Sequence, residues 1–192
     1  MIRQARLADL DKIYLLYRSL SLDRSKLNDP GYLVYIQQQG FLLGLETKAT
    51  FKKKILRAKE FLVAEKNRKI IGYIVADYRE KNCEEDRRQS WFDRVWRRRY
   101  FRHPRSMVVD SCGVDGDYRG NGIGSGLLKR LEKNLKAQKF RYLFSSVALS
   151  PITNCATILF HAKNGFQRVA TSRPGALYDL AYYVCLLMGK KI

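Results

Sequence analysis

"VDGDYRGNGIGSGLL", residues 114–128, holds five glycines within eleven positions and then runs into a helical apolar periodicity. The stretch before it, "SMVVDSCGV", has the composition of a strand. The stretch that follows, "IGSGLLKRLEKNLKAQ", places Ile123, Leu127, Leu128, Leu131 and Leu135 on one helix stripe. A strand that ends in a glycine-rich turn and opens a helix presents backbone amides at a positively polarised helix end, which is a site for phosphate. Spacing then separates the phosphate motifs. A dinucleotide fingerprint fails, because its third glycine falls on Ser125 in one register and on Leu127 in the other. A Walker loop fails as well, since no Gly-Lys-Ser or Gly-Lys-Thr is present.

Around this loop, strand-like and helix-like stretches alternate. "MIRQA" predicts an opening strand, and "DLDKIYLLYRSL" predicts a helix with Leu10, Ile13, Tyr14 and Tyr17 at helical spacing behind an acidic start. "TFKKKILRAKE" predicts a basic helix, while "NDPGYLVYIQQQGFLLGLE" stays open between helix and loop. Residues 61–65 and 70–78 are β-rich and flank a polar turn at Asn67, which is a hairpin signal. Downstream, "YLFSSVAL" predicts a strand, "NCATILFHAKN" a helix ending at Gly165, and "FQRVA" and "DLAYYVCLLMG" further strands. The pattern is that of an α/β chain without internal repeats, and 192 residues suit one domain over 1–192.

Charge is the compositional outlier, with 37 Lys and Arg against 18 Asp and Glu and a net +19. Such a field attracts anions: a phosphorylated cofactor, an acidic substrate, RNA or a membrane face. Residues 79–105 read as an insertion with ten basic and five acidic residues and both tryptophans. There Phe92, Trp96 and Tyr100 recur every four residues, so "SWFDRVWRRRYF" predicts an amphipathic helix that either packs its aromatic face or meets an anionic partner. The insertion's net +5 leaves +14 on the rest of the chain, so the basicity is global, which argues against a dedicated nucleic-acid arm. Nothing at the N-terminus reads as a signal peptide, and the longest apolar stretch, near "LAYYVCLLMG", is about half of a membrane span. A cytoplasmic location without a membrane span is therefore expected. Cys83, Cys112, Cys155 and Cys185 lie far apart, with no CxxC pair and no histidine ladder, so neither a metal site nor a disulfide framework is signalled.

The sequence "RGNGIG", Arg119 to Gly124, resembles the Arg/Gln-x-x-Gly-x-Gly/Ala pyrophosphate loop of the GNAT superfamily of acyl-CoA N-acyltransferases. The longer "VDGDYRGNGIG" is similar to the family's Val-x-Pro-x-Tyr-Arg-Gly-x-Gly-Ile-Gly, with Gly116 where proline is usual. A second landmark, an Asn followed eleven residues later by Gly-Phe, is matched by Asn154 with Gly165 and Phe166, and the opening "IRQARLADLDKI" agrees. The resemblance covers nearly the whole chain except residues 79–105. It implies an α/β fold of the α+β kind, with a central, mostly antiparallel twisted sheet that splays between two strands and is flanked by helices. It implies acetyl-CoA as co-substrate and no metal. The amides of Gly120, Asn121, Gly122, Ile123, Gly124 and Ser125 would hold the CoA pyrophosphate, with Arg119 opening that loop. The backbone of Cys112, Gly113 and Val114 would pair with the pantetheine arm like an added strand, and Asn154 would bond the arm from the other side. Lys163 is a further candidate for CoA phosphate.

Acyl transfer from a thioester needs a neutral amine, a stabilised oxyanion and a proton for the thiolate. A lysine-like amine with a pKa of about 10.4 is almost wholly protonated at neutral pH, so a base must help. Asp110 lies two residues before Cys112 on the same face of the strand. It resembles the glutamate base of the family's polyamine branch, and its shorter side chain favours a water-mediated version. The oxyanion would take the Val114 amide. At the family's acid position, four residues before the glycine of Gly-Phe and usually tyrosine, this chain has His161, whose imidazole can donate near neutral pH. Ser111 and Ser146 are weaker candidates for positioning a water, Tyr178, Tyr182 and Tyr183 could supply a phenol, and His103 reads as a loop residue. The expected function is an acetyl-CoA-dependent N-acetyltransferase that passes the acetyl group directly to a primary amine of a small molecule or protein. The alternative is a non-catalytic acyl-CoA sensor or RNA-associated module on the same fold. Residues 21–60 show no readable acceptor pattern, and the late strands make a homodimer an expectation.

Overall fold

Alternating apolar residues close into one mixed sheet in the computed structural model, which describes residues 1–43, 46–78, 89–92, 103–172, 174–177 and 180–192. The strands are β1 (Ile2–Gln4), β2 (Glu60–Lys66), β3 (Lys69–Asp77), β4 (Gln89–Phe92), β5 (Ser106–Val114), β6 (Tyr142–Ser150), β7 (Gln167–Ser172), β8 (Gly175–Leu177) and β9 (Leu180–Lys191). The helices are α1 (Leu10–Ser19), α2 (Pro30–Gln39), α3 (Lys48–Arg57), α4 (Ile123–Ala137) and α5 (Cys155–Lys163). Strand order is β1-β2-β3-β5-β6-β9-β7-β4, with β8 paired to β9. Each pairing between these strands is antiparallel except β5 with β6.

The hairpin explains how one sheet carries two cores. Alternate residues of a strand face opposite ways, so Leu62 and Ala64 join Leu127, Leu128, Leu131 and Leu135 of α4, the stripe read from the sequence. Phe61 and Val63 instead join Ile13, Leu16 and Tyr17 of α1 with Phe51 of α3. Phe51 is wholly buried, with its ring 4.8 Å from Tyr17 and 5.9 Å from Tyr73. The buried Glu60 carboxylate accepts from Gln4 (2.9 Å), Asn134 (2.9 Å) and Gln138 (2.6 Å), tying β1, β2 and α4 together.

The segment left open between helix and loop contains α2. Asp29 caps it, accepting from Gly31 N at 2.8 Å, Pro30 begins it, and Gly40 at φ 77° ends it. The helix predicted over "SWFDRVWRRRYF" requires a correction at its start: Gln89–Phe92 form β4 and pair with β7, with Trp91 opposite Thr171. The backbone hydrogen bonds offered by the β7 edge outweigh the four-residue aromatic spacing there. The rest of that helix, Cys83 and Tyr178 lie outside the described residues.

One close approach sets a stability test. Gly189 of β9 pairs with Phe144 of β6, and a Cβ there would lie 2.6 Å from the Phe144 ring. Gly189→Ala should therefore destabilise the chain by about 2–3 kcal/mol through overpacking, read as a shifted denaturant midpoint.

Candidate active site

β5 and β6 part company before either ends. Their pairing stops at Val109 opposite Ser145, although β5 runs on to Val114 and β6 to Ser150. On its other side β5 stays bonded to β3 as far as Gly72 opposite Val114. Residues 110–114 thus present an unpaired strand edge to the cleft, which an extended amide-bearing chain can satisfy.

The glycine loop meets this edge at its end. Gly120 and Gly122 have φ of 78° and 73°, a left-handed conformation, and a Cβ at either would meet nothing within 4 Å. Gly122 is the N-cap of α4 and supplies no side chain, and the first bond of that helix runs from Gly126 N to Gly122 O at 2.8 Å. The amides of Ile123, Gly124 and Ser125 therefore have no partner within the helix. Open space beside a bare helix N-terminus fits a pyrophosphate. Asn121 braces the loop, its Nδ2 donating to the carbonyls of Tyr118 and Arg119 at 3.3 Å each. Arg119 donates from Nε to Val114 O at 3.2 Å and from Nη1 to Gln39 O, tying the loop to β5 and to the end of α2.

Two cavities open on the splay. The larger, about 530 Å³, runs from the loop along Val114, Gly113 and Cys112. The smaller, about 220 Å³, is lined by Glu46, Asp110, Ser145, Ser146 and Tyr183 among others. Both are bordered by Phe41, Leu42, Cys112, Thr157 and His161. A long donor lying in the first would therefore bring its far end to a junction that a second reactant reaches from the other side.

Charge at the smaller cavity centres on Lys54, whose ammonium bridges the Asp110 and Glu46 carboxylates. Burial alone would push the Lys54 pKa down, but Asp110 and Glu46 together raise it above the ordinary lysine value. Glu46 moves upward because burial disfavours its charge more than Lys54 favours it. Asp110 is exposed at the mouth. At the junction, burial pushes the Cys112 thiol up to about 12. His161, 3% exposed, is shifted below the usual imidazole range by burial, which outweighs its bond to Thr157. The ring lies edge-on to Phe166 (4.8 Å) and Phe160 (5.2 Å).

Sequence-predicted residues divide between the two cavities. Cys112, Gly113, Val114, Arg119, Gly120, Gly122, Ile123, Gly124, Ser125 and Lys163 line the larger cavity, with Asn121 bracing its loop. Asp110 and Asn154 line the smaller cavity instead, and His161 borders both. The Asn154 side chain accepts from Thr157 N (3.2 Å) to cap α5 and donates to Phe41 O (2.8 Å). The Ser111 hydroxyl is bonded to the buried Tyr73 hydroxyl at 2.8 Å. Tyr182 is 77% exposed and lines neither cavity. His103 accepts from Arg105 N at 3.0 Å within its loop. Sequence reasoning missed Glu46, Lys54 and the Thr157 carbonyl. The cap signals at Asp29-Pro30 and Gly40 could have placed α2 ahead of Glu46, but no local signal marks the ion pair. Among the described residues no group of three or more potential ligands could hold a metal ion, and no helix is long and apolar enough to cross a membrane.

A bare helix start behind a glycine loop, a splayed strand edge and a junction between two cavities suit a transferase whose long phosphorylated donor lies along a sheet. The chain belongs to the Acetyltransferase (GNAT) family, which it matches over residues 27–166. No curated protein sequence matches it. Among solved structures it is similar to an N-acetyltransferase from Staphylococcus aureus Mu50, with 22% identity over 100% of this chain and 97% of that one and a TM-score of 0.63. It is similar also to the ribosomal-protein-S18-alanine N-acetyltransferase of Escherichia coli (16% identity, 100% and 93% coverage, TM-score 0.64). A third likeness is the paiA N-acetyltransferase of Thermoplasma acidophilum in complex with coenzyme A (17% identity, 100% and 98% coverage, TM-score 0.63). These likenesses lie in the fold.

Proposed function

We propose that the chain, as one domain over 1–192, transfers the acetyl group of acetyl-CoA directly to a primary amine. The observation that carries this reading is the junction where the loop-side and Asp110-side cavities share Cys112 and His161. The amides of Gly120 to Ser125 hold the pyrophosphate, Arg119 fixes the loop, and the β5 edge at Cys112 to Val114 aligns the pantetheine arm. Asn154 supports that arm indirectly, by fixing the start of α5 and the Phe41 carbonyl. The Val114 amide stabilises the oxyanion. Asp110, exposed and anchored by Lys54, takes a proton from the incoming ammonium through water and passes it to solvent. Cys112 stays a thiol at neutral pH, which supports direct transfer over an acyl-enzyme.

The same reading places the protein in the cytoplasm. It assigns an anionic partner to the basic segment 79–105 and pairing of two copies to the late strands, on the strength of the net +19 and the exposed positions of β9. Acetyl-CoA supplied with a panel of small amines and peptides should give amine-dependent thiol release and an acetylated product by mass. Acetyl-CoA binding without acetylation across the panel would overturn the reading in favour of a sensor.

A further inference from the structure

His161 is placed for more than a single proton donation. Its Nδ1 lies 2.8 Å from the Thr157 carbonyl oxygen, and a carbonyl only accepts, so Nδ1 carries the hydrogen of that bond. In a neutral ring, Nε2 is then a bare acceptor, and it has no hydrogen-bond partner among the described residues. The ring cannot turn this arrangement round without losing the Thr157 bond and its edge-on packing against Phe160 and Phe166.

We propose that His161 is a proton shuttle, whose Nε2 takes the amine proton of the tetrahedral adduct and hands it to the departing CoA sulfur. This rests on the acetyl-transfer reading. Acylating an ammonium releases two protons from nitrogen, and the chain provides two handlers. Asp110 at the open mouth disposes of the first before attack. The amine nitrogen then bonds to the acetyl carbon, whose oxygen becomes anionic while the nitrogen becomes cationic. Nε2 accepts one of the nitrogen's protons. The C=O bond re-forms, the C–S bond breaks with its electron pair going to sulfur, and the imidazolium returns the proton to that sulfur. Amide, free thiol and a neutral ring result.

Burial supports this order, because a ring held below the usual imidazole pKa is neutral at pH 7 and must receive a proton before donating one. Cys112 of β5 borders both cavities with the ring, and Tyr183 of β9 lines the smaller one. The charged groups of the two cavities include Glu46 and Asp110 on one side and Arg119 and Lys163 on the other. None of them shifts the ring, whose displacement comes from burial against its Thr157 bond.

The test compares wild type with His161→Gln, which keeps a polar amide but cannot carry a proton. The expected result is a kcat lower by about 100-fold with acetyl-CoA affinity unchanged. Wild-type kcat should rise with pH through a pKa below 6.5, and this limb should vanish in the variant. Wild-type nitrogen NMR at pH 7, which needs no variant to fold, should show one of the two histidines with a protonated Nδ1 and a bare Nε2. A kcat that falls as pH rises through that range would mark a standing acid and overturn the shuttle. So would wild-type kcat in the variant, or two rings each protonated at Nε2. A wild type that acetylates no amine overturns the acetyl-transfer reading instead.

Discussion

Gly122→Val is expected to weaken acetyl-CoA binding by about 1000-fold while the melting temperature falls by only about 6 °C. At φ 73° a β-branched residue is strained by about 2 kcal/mol, and this accounts for the lower melting temperature. The isopropyl group would also occupy the open space beside the Ile123 and Gly124 amides. Losing charge-assisted hydrogen bonds to a phosphate, each contributing about 1.5–3 kcal/mol, brings the binding loss to about 4 kcal/mol, or roughly three decades. Gly116→Ala is the control, because that glycine lies outside the larger cavity and a Cβ there also meets nothing within 4 Å. Calorimetric titration with acetyl-CoA reads both variants. Unchanged affinity in Gly122→Val would remove the loop from the cofactor site.

The second large effect concerns Asp110. Asp110→Asn keeps the shape of the side chain, and Lys54 keeps Glu46 as its counter-ion, so the fold and acetyl-CoA affinity should hold. At pH 7, kcat/KM should drop by about 1000-fold, within the range general-base catalysis supplies. The deficit should shrink as pH rises toward the amine's own pKa of about 10, since solution then delivers the neutral nucleophile without help. Asp110→Glu should restore much of the rate. Unchanged turnover in Asp110→Asn at pH 7 would remove it as the base.

What was legible in the sequence was what short stretches encode by themselves. The α4 stripe, the Asn67 hairpin and the glycine-rich turn that opens α4 are local signals, and they survived intact. Helix α2 was harder, because Leu33, Val34, Tyr35 and Ile36 are adjacent and form no stripe, and only Ile36 is buried. β4 owes its state to the edge of β7, some eighty residues away in sequence. The Asp110 side of the site was illegible for the same reason: Lys54 finds Asp110 across 56 residues, and only the fold brings Glu46 to the same ammonium. His161 was found by position, but its protonation state depends on Thr157, Phe160, Phe166 and the depth of the junction.

The protonation state of Cys112 bears on what happens after turnover. On the proposed function each cycle leaves a free CoA thiol beside this cysteine, and once an outside oxidant has converted CoA to its disulfide, Cys112 could exchange with it and release one CoA thiol. Thiol–disulfide exchange starts from a thiolate. With the Cys112 pKa pushed up to about 12, its thiolate fraction at pH 7 is on the order of one in 100,000. The environment that keeps this sulfur protonated would therefore also slow its covalent capture by CoA disulfide.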